Sequence, residues 1–214
     1  MALTAQQRTL PVLEPFAGLL PHGALQRGST VGCSGSASVS LAMALVAGAV
    51  QQHGSWVAVA GMSGFGVRAA VELGISAERV VLVAEPAGGF DDGQWADIVA
   101  AMIDGFDVVV LASGARRIRA AVARHLQARA RSRGAVLVTV GVLDGFVTDV
   151  QLTAERSHWT GLAAGHGVVT ARRLDVEVGG RRVPGVRRAT LWLPDIAGQV
   201  RLAEREPIPL RRTG

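Results

Sequence analysis

The sequence has no lysine, no asparagine and no tyrosine, so all 22 of its basic residues are arginine. Every mechanism that needs a lysine is thereby closed, including the phosphate-gripping lysine of ordinary P-loop nucleotidases and the Tyr–Lys pair of short-chain dehydrogenases. Cys33 is the one cysteine, which excludes intramolecular disulfides and clustered thiolate zinc sites. No apolar run approaches the roughly 18 residues of a membrane span. The best candidate, Leu41 to Val50, reads as a buried helix. The N-terminus lacks the charged region, apolar stretch and cleavage site of a secretory signal, so a cytoplasmic protein with no membrane partner is expected.

What is present is a chain of 214 residues, 49% hydrophobic, with a mean hydropathy of +0.32. That is enough for one sizeable core and too little for two comfortable domains. A net charge of +5 permits nucleic acid or an acidic partner without requiring either.

Short Val- and Leu-rich runs bounded by glycine alternate with longer Ala-rich segments, the pattern of a parallel sheet covered by helices. Strands are predicted at Gly28 to Gly32, Ser55 to Gly61, Arg79 to Glu85, Phe106 to Ser113 and Ala135 to Gly141. Helices are predicted at Ser38 to Gln52, Val67 to Leu73, Gly93 to Asp104 and Arg116 to Arg133, with Gly54, Gly74, Gly105 and Gly134 placed to cap them in the left-handed conformation. The rhythm changes after Val142. Antiparallel strands are expected from Val168 to Leu193, with Gly179 and Gly180 as a hairpin turn inside Leu174 to Val183. The chain then divides into an N-terminal segment (1–19), a core domain (20–194) and an aperiodic tail (195–214), expected to be mobile or partner-bound.

A phosphate-binding loop belongs between the first core strand and its helix, at Gly32 to Val39, GCSGSASV. A working loop reads G-x-x-x-x-G-K-[ST], its lysine neutralising the outer phosphates and its hydroxyl holding magnesium. Here Gly32 fills the first position and Gly35 lies within the loop, but Ala37, Ser38 and Val39 replace the rest of the signature.

With Leu20, Pro21, Gly23 and Gly28 before that loop, LGISAERVVLVAEP at Leu73 to Pro86, and DVVVLAS at Asp107 to Ser113, the stretch from Leu20 to Gly141 resembles the core of RecA. It resembles more closely the truncated ImuA-type accessory proteins of inducible mutagenesis. The resemblance implies an α/β fold: a RecA-like core with a mostly parallel sheet flanked by helices, ending in an antiparallel hairpin region. Carried over by position, Ala112 stands where a Walker B strand ends in its metal-holding acid, and Met62 lies near the place of the water-activating glutamate. Ser113 and Ser63 are too neutral to substitute around magnesium. Catalytic, metal and cofactor sites are therefore expected to be absent, and the chain is read as a non-enzyme.

The implied role is that of an adaptor in the SOS response to DNA damage. In error-prone translesion synthesis it would bridge a Y-family polymerase relative (ImuB-type) and an alternative replicative-type polymerase. Self-association through strands is a natural mode for such a fold. Two alternatives stay open: a RecA-family nucleotide-dependent DNA-binding ATPase with an unusual site, its hydrolysis dependent on Ser38 or Asp107, and a SulA-like cell-division inhibitor.

Arg116, Arg117, Arg119, Arg124, Arg129 and Arg131 form a candidate surface for DNA or an acidic partner, with Ile118, Val122 and Leu126 spaced to bury the opposite face. Arg172, Arg173, Arg181, Arg182, Arg187 and Arg188 form a second basic group, which alternation along strands would split between two faces. GMSGFG at Gly61 to Gly66 departs from the G-x-G-x-x-G order of a dinucleotide fingerprint and reads as a glycine-rich turn. Trp159 and Trp192 read as packing residues, or as a protein contact if exposed.

Overall fold

The computed structural model describes residues 8–62, 64–112, 118–163 and 166–203. A nine-stranded sheet runs through it, in the order β11 (Arg201–Leu202), β10 (Arg187–Trp192), β9 (His166–Gly179), β8 (Val150–Ala163), β3 (Thr30–Gly35), β7 (Val136–Val140), β6 (Val108–Ala112), β4 (Val57–Ala60) and β5 (Val80–Val83). Its parallel part comprises β3, β4, β5, β6 and β7. The central strands β4, β6 and β7 lie between helices and are fully or almost fully buried, which is why they appear as unbroken apolar runs. Two apolar layers result. One face packs α2 (Ser38–His53); the other packs α4 (Asp92–Gly105) and α5 (Ala120–Arg133). The short helix α3 (Val67–Glu72) lies beside α2. Among the described residues, no helix is long and apolar enough to cross a membrane.

All ten residues from Leu41 to Val50 are buried, because α2 is covered on both sides. Its outer cover is the N-terminal segment: β1 (Thr9–Pro11) pairs antiparallel with β2 (Ala24–Gln26), and α1 (Glu14–Ala17) follows. Leu10, Val12 and Phe16 thus belong to the same core as Leu41 and Leu45. Over the residues described, the N-terminal segment packs into the main core. The crossing is close: a Cβ on Gly48 would lie 2.3 Å from the backbone carbon of Val12.

The antiparallel region starts earlier than its sequence suggests. β8 (Val150–Ala163) lies parallel to β3 as far as Ala154, then continues as an arm paired only with β9 (His166–Gly179). The hairpin turn expected at Gly179 and Gly180 is displaced, since β9 runs through Gly179 and the chain reverses over residues 180–186 before β10 (Arg187–Trp192). Gly105 also differs from expectation: α4 ends on Phe106 in extended conformation, whereas Gly54 and Gly134 are left-handed caps. Part of the segment read as a tail is built into the sheet. Asp195 accepts hydrogen bonds from the backbone of Ala197 and Gln199, and β11 (Arg201–Leu202) pairs with β10. Pro207, Pro209, Arg211 and Arg212 lie outside the described residues.

Candidate functional site

The first half of the segment Gly32–Val39 is paired into the sheet. Gly32 pairs with Thr139 of β7 on one side and Gln151 of β8 on the other, Cys33 with Val140 and Leu152, and Gly35 with Ala154. Only Ser36 and Ala37 turn before α2 begins at Ser38. A cradle needs successive backbone amides aimed inward at the anion; here the first half of the segment, Gly32–Gly35, enters the sheet. The connection from β7 to β8 supplies the reason. It returns across β3 so that a Cβ on Gly32 would meet Gln151 Oε1 at 2.1 Å and Thr148 Cγ2 at 2.9 Å. Gly35, at φ +90°, leaves the same small space for the carbonyl of Ala154. Both glycines make room for a neighbouring segment of the chain. Cys33 points into the core, and burial pushes its thiol up to about 12. Ala37 caps α2 with no side-chain hydrogen bond, and Ser38 and Val39 are half-buried.

At the end of β6, half-buried Ala112 receives the close approach of Gly61, whose φ of +74° would put a Cβ 2.1 Å from the Ala112 carbonyl. Met62 packs against the α2 core. Ser63 and Ser113 lie outside the described residues. Asp107 precedes β6, at the amino-terminal end of the parallel strands, whereas Ser38 follows the carboxy-terminal end of β3, and Asp107 is occupied there: it accepts from Arg27 at 3.0 Å and from the backbone N–H of Trp56 at 3.1 Å. Ser38 and Asp107 cannot share a site.

The arginines of α5 are divided. Arg129 and Arg133 both bind Asp104 of α4, and Arg119 lies 3.6 Å from Asp92. Arg124 and Arg131, two helical turns apart, are exposed. Arg116 and Arg117 lie outside the described residues. Ile118 and Leu126 are buried as expected, and Gln127, not singled out by sequence, is buried between Thr30 Oγ1 at 2.8 Å and the Val147 carbonyl at 2.7 Å.

The hydrogen bond from Arg129, aided by the charges of Arg129 and Arg133, holds the Asp104 carboxyl below its ordinary value. A depressed carboxylate stabilises the fold above its unfolded pKa, and this is lost as pH falls through the folded one. We therefore expect the Asp104 carboxyl carbon to titrate below the usual midpoint of about 4 by NMR. Arg129→Gln should move that midpoint upward, and an unmoved midpoint would refute the pairing.

The second basic group holds the hairpin region together. Arg181 and Arg182 converge on buried Asp149 at 3.1 and 3.2 Å, Arg188 binds Glu177, and Arg187 donates to the carbonyls of Gly18 and Leu20. Arg172 is only 8% exposed, stacked 4.8 Å over Trp159, with its Nε donating to the Leu193 carbonyl at 2.8 Å. That stack depends on β8 lying beside β9, which sets Trp159 opposite Arg172.

Comparison with known proteins places this architecture. A family model described as the MT3502 N-terminal domain matches residues 18–145. The chain belongs to the MT3502 N-terminal domain family. The family match takes in β2 to β7 and stops just before β8, so it coincides with the parallel core and omits the antiparallel extension. The chain is also 32% identical to the uncharacterized protein Rv3395c of Mycobacterium tuberculosis over 171 residues, covering 79% of this chain and 76% of that one. That span is longer than 18–145, so the similarity reaches beyond the family domain.

Proposed function

We propose that this MT3502 N-terminal domain protein is a non-catalytic, RecA-like adaptor in damage-induced, error-prone translesion synthesis. It would bridge an ImuB-type Y-family polymerase relative and an alternative replicative-type polymerase. One observation carries the non-catalytic part: the segment that would enclose a nucleotide's phosphates is paired into the sheet at Gly32 and Gly35, in a chain without lysine. The RecA-like part is supported by a parallel core whose first strand leads directly into the buried helix α2. The translesion role rests on the resemblance to ImuA-type proteins. Arg124 and Arg131 are the exposed candidates for DNA contact within an assembled complex.

Titrating MgATP into the purified protein should give no saturable, magnesium-dependent heat up to about millimolar nucleotide. Ser38→Lys should not create it, because the added charge leaves the neighbouring backbone in its ladder. Capture from damaged cells should retain a polymerase relative. Tight MgATP binding by the unaltered chain would overturn the non-catalytic reading, and recovery of a tubulin-like division protein in place of a polymerase would overturn the translesion role.

A further inference from the structure

Beside the first turn of α2 lies a cavity of about 450 Å³. Val39, Met43, Ala69, Leu73, Trp159 and Pro194 form much of its wall, and Arg172 also lines it. The guanidinium bonds through Nε to a backbone carbonyl and stacks on an indole, yet no carboxylate lies within ion-pair distance among the described residues. Every buried side-chain nitrogen there has a hydrogen-bond partner, so the two terminal nitrogens of Arg172, which bond to no other described group, reach solvent. A guanidinium stacked by its face presents its edge as a fork for a carboxylate. Its burial makes the lack of a counter-charge costly and an arriving one favourable. Glu72 stands on the rim, its charge offset by Arg68 at 3.0 Å. The uncapped amino end of the 16-residue α2 adds a positive potential on the same side.

Backbone is available as well. Beyond Ala154, β8 has left β3, and among the described residues its arm pairs only with β9. We propose that this cavity receives an acidic side chain flanked by apolar residues, carried on an extended segment of a protein partner that lies along the uncovered edge of the β8 arm. The carboxylate sits on Arg172, and the apolar neighbours fill the space against Met43, Leu73 and Trp159. A single guanidinium matches a single carboxylate and leaves a triphosphate unbalanced. The inference deepens the adaptor reading by giving the chemistry of a bound partner.

The test uses the full chain, nitrogen-edited NMR signals of the Trp159 indole N–H and the Arg172 Nε–H, and two probes, acetyl-Leu-Glu-Leu-amide and acetyl-Leu-Gln-Leu-amide. The acidic probe should shift both signals saturably below about 10 mM, and the neutral probe should bind roughly tenfold more weakly. Ala69→Trp, an exposed position on the cavity wall, should abolish the shifts without unfolding the protein. Equal binding of the two probes, no binding by either, or displacement of the acidic probe by MgATP at lower concentration would each overturn the proposal. These results are separable from the adaptor reading, since polymerase capture can succeed while the peptide titration fails.

Discussion

Asp149→Ala should lower the unfolding free energy by about 3 kcal/mol, the larger of two effects measurable by urea denaturation. Asp149 is 5% exposed at the start of β8. One carboxylate oxygen accepts the backbone N–H of Thr30 at 3.0 Å, and the other meets Arg181 and Arg182 from the loop after β9. Thr30 is itself buried, and its hydroxyl accepts from Gln127 on α5. The alanine variant strands a buried donor, the costly half of a broken hydrogen bond. The arginines can turn to water, which limits the electrostatic part of the loss. Asp149→Asn, which keeps an acceptor for Thr30, should lose roughly half as much. If the alanine variant proves as stable as the parent, the network does not tie these elements together.

Gly48→Ala should also destabilise, by about 2 kcal/mol. On intrinsic helix propensity alone, the change would stabilise α2 by roughly 1 kcal/mol. The sign reverses because the new methyl group would fall 2.3 Å from the Val12 carbonyl carbon and 2.6 Å from the Leu13 nitrogen. Backbone cannot rotate away as a side chain can, so the Val12–Leu13 segment crossing α2 must lift and expose the neighbouring Leu10 and Phe16. A stabilised variant would mean that the N-terminal strand is loosely held.

These two positions show where sequence reading stops. The parallel strands β4, β6 and β7 were legible because burial on both faces writes an unbroken apolar run between glycines. Gly32 and Gly35 stand out in the sequence, where their place between a strand and a helix suits a phosphate turn; in the fold their smallness admits Thr148, Gln151 and Ala154. Alternation in β8 covers only Val150, Leu152 and Ala154 before the strand leaves the body of the sheet, with a register shift between Ala154 and Arg156. With β8 unread, neither the Arg172–Trp159 stack nor the cavity beside it could be anticipated. The arginine clusters were visible as charge, but their neutralisation by Asp104, Asp149 and Glu177 is a property of packing between distant segments.

The helical cover of the α5 face ends near β3, and beyond it that side of the sheet is held by its own polar side chains. Ser34 meets Thr153 and Gln151, Thr190 donates to Asp175, and Arg188 reaches Glu177. Along β9, Leu174, Val176 and Val178 are buried while Asp175 and Glu177 between them are partly exposed. Inheritance can therefore vary the polar positions of this extension pair by pair, each partner matching the other, while the intervening positions stay aliphatic. Among descendants of this chain, divergence should accumulate on one side of the ribbon, and the polar face can acquire new specificities without disturbing the core behind it.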